Sequence, residues 1–181
     1  ARHFGLAPIL GERTESQDLC FVNPGEHWKL TEVYRPDLPR DGRFLSVSGE
    51  VLGRHRGIHR YTIGQRRGLG VAAPNPLYVA EIDADSGDIV LAERQHLAAS
   101  AMLVKNVNWI GGHAPAKPFA AATKIRYRQD GAPSRVVPRN NHAALVQFET
   151  PQFAVTPGQV AAFYQDDELV GGGWIESAQT L

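Results

Sequence analysis

The chain has 181 residues, 43% of them hydrophobic, with 19 basic and 19 acidic side chains and a formal net charge of zero. That length holds one large domain or two small ones, and the composition is that of a globular protein rather than a disordered or fibrous one. No apolar run approaches the roughly 18 residues a bilayer-spanning helix needs. The first ten residues contain Arg2 and His3 but no continuous apolar core, so they do not read as a signal peptide.

Residues 1 to 27 are broken by Gly5, Pro8, Gly11, Pro24 and Gly25 and do not form a domain alone. They contain the only cysteine, Cys20, in Ser16-Gln17-Asp18-Leu19-Cys20-Phe21-Val22. A lone thiol forms no internal disulfide and builds no multi-cysteine zinc site. Two readings stay open: a small buried hydrophobe, or a reactive thiol. The polar residues before Cys20 and Asn23-Pro24-Gly25 after it describe a short strand or turn rather than a core helix. No basic residue lies beside the thiol to lower its pKa.

Glu26 to Arg35 suits a short helix with Trp28, Val33 and Leu30 on a core face, stopped by Pro36. Beyond it the pattern is of strands. Arg43 to Val47 and Glu50 to Leu52 flank a hairpin signal, Ser48-Gly49, and Leu77 to Ile82 and Ile89 to Ala92 flank Asp85-Ser86-Gly87. A third group comprises Leu103 to Ile110, Ala120 to Arg128, Ser134 to Val137, Ala143 to Phe148, Val160 to Tyr164 and Glu168 to Val170. In Lys124-Ile125-Arg126-Tyr127-Arg128 a period of two puts the basic side chains on one strand face. The fold class is mainly β: a small β-rich domain over residues 28 to 100, then a β-barrel over 101 to 181. The boundary falls near residues 94 to 102, where Ala98-Ala99-Ser100-Ala101 reads as a small-residue connection.

The densest chemistry lies between Gly53 and Gly70, where eighteen residues carry five arginines, two histidines and five glycines. Arginine forks match phosphate oxygens and glycines let a backbone approach a partner. An RNA-phosphate surface and a solvated basic loop are equally compatible with this composition. His55 and His59 have helical metal-ligand spacing, but Gly57 lies between them and no acidic or thiol ligand is near. Gly68-Leu69-Gly70 lacks the lysine and serine of a phosphate-cradling loop, and no Gly-x-Ser-x-Gly elbow occurs. Lys124 to Gln129 reads either as a base-stacking, phosphate-pairing strand or as a charged edge strand. Thr156-Pro157-Gly158-Gln159 is a tight turn. In Gly171-Gly172-Gly173-Trp174-Ile175 the glycines permit close packing and Trp174 reads as a core anchor.

Together, the Cys20 segment, His55 to Gly70, Lys124 to Gln129, Ala154-Val155-Thr156-Pro157-Gly158-Gln159 and Gly171 to Ile175 resemble the bacterial tRNA-specific 2-thiouridylases, in the family's order and with matching spacing. The resemblance covers nearly the whole chain. It implies that residues 1 to 27 are the tail of an α/β ATP-binding catalytic domain, whose Ser-Gly-Gly-Val-Asp-Ser loop and first catalytic cysteine are not in this sequence. An excised or processed piece of a longer protein also fits a chain that starts at Ala1 and has Met102 as its only methionine.

In the family, ATP with magnesium activates the 2-oxygen of the wobble uridine and a cysteine persulfide replaces it with sulfur. The resemblance places Cys20 as the persulfide carrier, disulfide-pairing with the cysteine outside this sequence. It places Arg126, Tyr127 and Gln159 against tRNA. It implies tRNA and a sulfur-donor protein as partners, a cytoplasmic location consistent with the absent targeting signals, and no metal, membrane or cofactor site in this chain. Such a piece would not thiolate RNA alone. Two alternatives are an RNA-binding β module without chemistry and a stand-alone thiol enzyme using His27.

Overall fold

The computed structural model describes residues 27–38, 40–126 and 129–180. The Cys20 segment, Tyr127 and Arg128 lie outside the described residues. Helix α1, His27–Tyr34, forms where the sequence places it, and Arg35 closes it by donating its N–H to the Thr31 carbonyl at 2.8 Å before Pro36. Arg35 and Asp37 then pair at the surface, Nη2 to Oδ2 at 2.7 Å. Val33, expected on a core face, is exposed, while Trp28 and Leu30 are half-buried.

Residues 39–181 form a second unit, which is mainly β. Its first sheet contains β1 (Gly42–Ser46), β2 (Val51–His55), β3 (Leu77–Ile82) and β4 (Ile89–Glu93) in the order β2-β1-β4-β3. Both expected hairpins are present, joined by a parallel β1–β4 pair. Their turns are organised by side-chain acceptors. Ser46 Oγ takes the N–H groups of Ser48 (3.2 Å) and Glu50 (3.1 Å), and Asp83 Oδ1 takes those of Asp85 (2.9 Å) and Ser86 (3.3 Å). Gly49 and Gly87 supply the left-handed residues these turns require.

The sheet's core is Phe44, Val79, Ile89 and Leu91, essentially inaccessible, with Ile58 and Leu69 from the β2–β3 loop. Phe44 meets Tyr61 edge-on (5.2 Å between centroids) and lies 5.0 Å from the ring of His55. His55 is thus a buried neutral ring. Burial holds its pKa below the ordinary imidazole value, outweighing the Gly87 carbonyl and the carboxylates of Asp88 and Asp41, which favour the charged form. Gly42 makes room for that ring: a Cβ there would strike the Gly87 carbonyl oxygen and the imidazole. Asp88 is engaged by Arg43, Nε to Oδ1 at 3.0 Å and Nη2 to Oδ2 at 2.6 Å, which holds its carboxyl below the usual range.

Six strands close the barrel, β5 (Ala98–Trp109), β6 (Phe119–Lys124), β7 (Ala132–Asn140), β8 (Ala143–Phe153), β9 (Val160–Gln165) and β10 (Glu168–Thr180), in the order β10-β5-β8-β7-β6-β9. Every pair is antiparallel, so closure removes the free edges that would invite aggregation. Inward residues alternate along each strand and bury Met102, Val104, Val136, Val146, Phe163 and Ile175. Thr123 and Ser134 are also inside. Ser134 donates to the Ala121 carbonyl (3.0 Å), so the Thr123 hydroxyl supplies the proton of the 2.7 Å bond between them.

Three expectations are corrected here. Ala98 to Ala101 begin β5 rather than forming a connection; a 3-10 turn, Arg94–Leu97, makes the join. Trp174 faces outward and is 49% exposed, because the strand alternation that buries Gly173 and Ile175 turns it to the outside; Trp109 is the core tryptophan. β6 stops at Lys124, so Arg126 does not continue its strand face. Ile125 is buried in the core and the chain bends at Arg126. The glycines before Trp174 do permit close packing: a Cβ on Gly171, Gly172 or Gly173 would lie 2.8, 2.6 or 2.5 Å from the carbonyl oxygens of Asn108, Ala161 or Lys105.

Because the folded-state pKa of His55 lies below its unfolded value of about 6.5, the unfolded chain binds the extra proton between those two values. Stability conferred by the neutral ring is therefore present above pH 6.5 and lost as pH falls from there through the folded pKa. Asp88 acts in a separate, lower window, below about pH 4. Thermal melts should show the native chain losing stability from pH 7 to pH 5, with a flatter profile for His55→Gln; identical profiles would contradict a buried neutral imidazole.

Candidate nucleic-acid interface

The arginine-rich segment leaves β2 at Arg56 and runs to Pro76. His55 ends a strand and His59 lies in a 3-10 turn, Ile58–Arg60, so the two histidines do not share a helix. Gln65 fixes the loop. Its Oε1 accepts from the Thr62 N–H (3.1 Å) and its Nε2 donates to the Arg67 carbonyl (3.0 Å). The backbone is also stitched to β3, Gly64 N–H to Val79 O at 2.8 Å and Val79 N–H to Gln65 O at 2.9 Å. This framework leaves the side chains of Arg54, Arg56, Arg66 and Arg67 exposed. Arg56 and Arg60 act on Tyr61 as positive charges, opposing the upward push that burial gives its hydroxyl pKa.

The loop meets the barrel at Ala154, a buried residue held at φ 51°. An alanine in the left-handed region is strained by about 1–2 kcal/mol and persists only where its surroundings over-determine it. They do so here. The Ala154 N–H donates to Leu97 O (2.8 Å), and its carbonyl accepts from Arg126 Nη2 (2.5 Å) and Thr156 Oγ1 (3.0 Å). Arg126 Nη2 also reaches the Phe153 carbonyl at 3.3 Å. Gly64 packs so tightly against this point that a Cβ would lie 2.8 Å from the Ala154 Cβ.

Arg126 is consequently half-buried, and burial lowers its pKa from the ordinary guanidinium value without discharging it. It places a positive charge where the loop, the 3-10 turn and the barrel converge. Gln159 lies on the same segment: its N–H donates to Thr156 O (3.3 Å), and its carbonyl accepts the Ile175 N–H (2.7 Å). The structure thus connects Arg126 and Gln159 through Ala154 and Thr156. Sequence reasoning missed Phe153 and Ala154, since neither residue type announces a hub; the signal was Thr156-Pro157-Gly158, which marks the turn they anchor.

Residues 33–93 match the tRNA methyl transferase PRC-barrel domain family, and residues 99–175 match the aminomethyltransferase beta-barrel domain family. The chain is 41% identical to the tRNA-specific 2-thiouridylase MnmA of Syntrophotalea carbinolica, over 92% of this chain and 47% of that protein. It is 40% identical to that of Geobacter metallireducens, over 99% of this chain and 48% of the relative. The match to the Trichormus variabilis protein is 42%, over 91% of this chain and 47% of the relative. Over nine-tenths or more of its length the chain is similar to part of the tRNA-specific 2-thiouridylases. It spans about half the length of the curated relatives it matches. The two matched domains correspond to the small sheet and the barrel, and the hub at Ala154 lies within the second.

The hub makes a contrast between two glycines. Gly64→Ala combines φ +87° with a steric conflict against Ala154 and should destabilise the chain by about 2–4 kcal/mol in urea unfolding. Gly70→Ala has φ +67° but open space and should cost only about 1–2 kcal/mol. Equal losses would contradict the close approach of the loop to the barrel.

Proposed function

We propose that this chain is the tRNA-gripping and sulfur-carrying part of a tRNA 2-thiouridylase. The observation that carries the reading is the 40–42% identity to tRNA-specific 2-thiouridylases over nine-tenths or more of this chain. The exposed arginines of the loop and the hub at Arg126 support it, since both lie in one unit and present charge of the sign an RNA backbone requires. On this reading the barrel domain holds tRNA through Arg126, Tyr127 and Gln159.

Cys20 is the sulfur carrier. A sulfur-donor protein loads its thiol as a persulfide. The terminal sulfur then bonds to C2 of the wobble uridine as the activated 2-oxygen leaves. A second thiolate, from the part of the protein outside this chain, attacks the Cys20 sulfur. The S–S bond of the persulfide breaks, its electron pair stays with the transferred sulfur, and a Cys20 disulfide forms that an external thiol must reduce before the next cycle. Gly68-Leu69-Gly70 does not fit the phosphates of ATP: among the described residues no helix follows it, and Leu69 is buried. On this reading activation of the uridine oxygen belongs to the remainder of the protein. The exposed arginine loop would also suit a non-catalytic RNA-binding module, and the experiment separates the two.

In the full-length protein, Cys20→Ser should abolish 2-thiouridine formation and leave tRNA affinity within about twofold, because serine keeps the size and loses the soft nucleophile. Wild-type thiouridine levels in that variant would remove Cys20 as the carrier and favour the module.

Arg66→Gln, Arg67→Gln and Arg126→Ala should each weaken tRNA binding by about 1 kcal/mol and reduce the magnitude of its log–log salt slope by about 1. Gln159→Ala should weaken binding with the slope unchanged. Unaltered affinities and slopes across a salt series would retire the RNA surface.

A further inference from the structure

A groove of about 630 Å³ opens where the small sheet meets the barrel, lined by Asn75, Tyr78, Glu93, Arg94, Gln95 and Phe153, among others. Its volume is that of a small-molecule site. A second depression, about 340 Å³, adjoins it by sharing Asn75 and Pro76, and runs to Arg66, Gly68 and Gly70 of the arginine loop. The groove's inner wall is continuous with the hub, because Phe153 offers its carbonyl to Arg126.

The lining has three parts of different chemistry. Tyr78 and Phe153 meet edge to face at 5.3 Å and form an aromatic floor. The Arg94 guanidinium carbon lies 4.2 Å from the centre of the Phe153 ring, and Arg94 is exposed. A guanidinium laid on one ring can take a second flat ring on its other side, as arginine does with unstacked bases. Glu93 supplies a carboxylate, and Asn75 Nδ2 donates to one of its oxygens at 3.0 Å, which fixes its orientation. A carboxylate of this kind keeps further lone pairs for a ligand.

A phosphate would be repelled by Glu93, and a purely apolar ligand would leave the remaining lone pairs of its carboxylate unused. A nucleobase uses all three parts. Among the bases, guanine presents two adjacent donors, N1–H and N2–H₂, that pair with the two oxygens of one carboxylate. Adenine turns an acceptor, N1, toward it; uracil offers one N–H between two carbonyls; cytosine offers an amino group beside an acceptor. We propose that this groove binds one unstacked guanine of the RNA, stacked on Arg94 and read on its Watson–Crick edge by Glu93, with a neighbouring phosphate at Arg66. This site rests on the tRNA reading above and adds a base preference that the phosphate contacts cannot supply.

The test uses the full-length protein and eight-nucleotide oligouridine RNAs with a single central guanine, adenine or inosine, measured by fluorescence anisotropy beside an unmodified tRNA transcript. Inosine keeps N1–H and lacks the 2-amino group. The guanine oligonucleotide should bind at least fivefold more tightly than the other two. Glu93→Gln, nearly isosteric and checked for native circular dichroism, should reduce that preference below twofold. Arg94→Gln should weaken all three at least threefold. A 6-thioguanine placed at the same position should photo-cross-link to the peptides containing Asn75 to Tyr78 or Glu93 to Gln95. Equal affinities for guanine, adenine and inosine, a preference that survives Glu93→Gln, or cross-links confined to other peptides would overturn the guanine site. If tRNA still binds in those cases, the tRNA reading stands and only the base pocket falls; if the wild-type protein binds neither the oligonucleotides nor tRNA, both fall.

Discussion

The guanidinium of Arg126 and the carbonyl of Ala154 meet in the bond on which the geometry of the candidate interface depends. Ala154 adopts a backbone conformation that alanine disfavours, and four partners hold it there: Leu97 at its N–H, Arg126 and Thr156 at its carbonyl, and Gly64 against its methyl group. Each comes from a different part of the second unit. Leu97 belongs to the turn after the small sheet, Gly64 to the arginine loop, Arg126 to the bend after β6, and Thr156 to the turn carrying Gln159. The strain is offset by hydrogen bonds made where water is excluded, where an unpaired carbonyl would cost about 1–3 kcal/mol. The same bond that secures the join leaves a cation partly buried at it.

That arrangement explains how a chain of zero net charge presents a basic surface. Four exposed arginines, Arg54, Arg56, Arg66 and Arg67, lie at the end of β2 and on the loop that follows it, and that loop is held to β3 and the barrel by Gln65 and Gly64. Acidic residues are engaged elsewhere: Asp88 with Arg43, Asp37 with Arg35, Glu176 with Lys105, and Asp83 within its own turn. On the proposed reading, charge segregation rather than charge excess would provide the attraction for a phosphate backbone.

Much of the fold was legible because its signals are local. Ser48-Gly49 and Asp85-Ser86-Gly87 announce hairpins through residues that bond their own backbone or take positive φ, and both hairpins formed. The mainly β class followed from this punctuation. What failed was facing and extent. Trp174 reads as a core residue by its size, but its side is set by strand register, which places Gly173 and Ile175 inside. The run Lys124 to Arg128 alternates like a strand, yet Ile125 is drawn into the core and the chain turns at Arg126, a tertiary demand invisible in a five-residue window. Of the candidate site, Arg126 and Gln159 are linked by hydrogen bonds through Ala154 and Thr156, whereas Phe153, Ala154 and the carboxylate of Glu93 gain meaning only from long-range packing.

The central claim is that the arginine loop and the Phe153 to Gln159 segment together form the surface that holds tRNA. Amide hydrogen exchange of the full-length protein, with and without saturating tRNA, tests it most directly. The account predicts new protection in the peptides covering Arg54 to Arg67 and Phe153 to Gln159, diminishing together as salt is raised. Bound tRNA that leaves both segments exchanging at their free rates would contradict it.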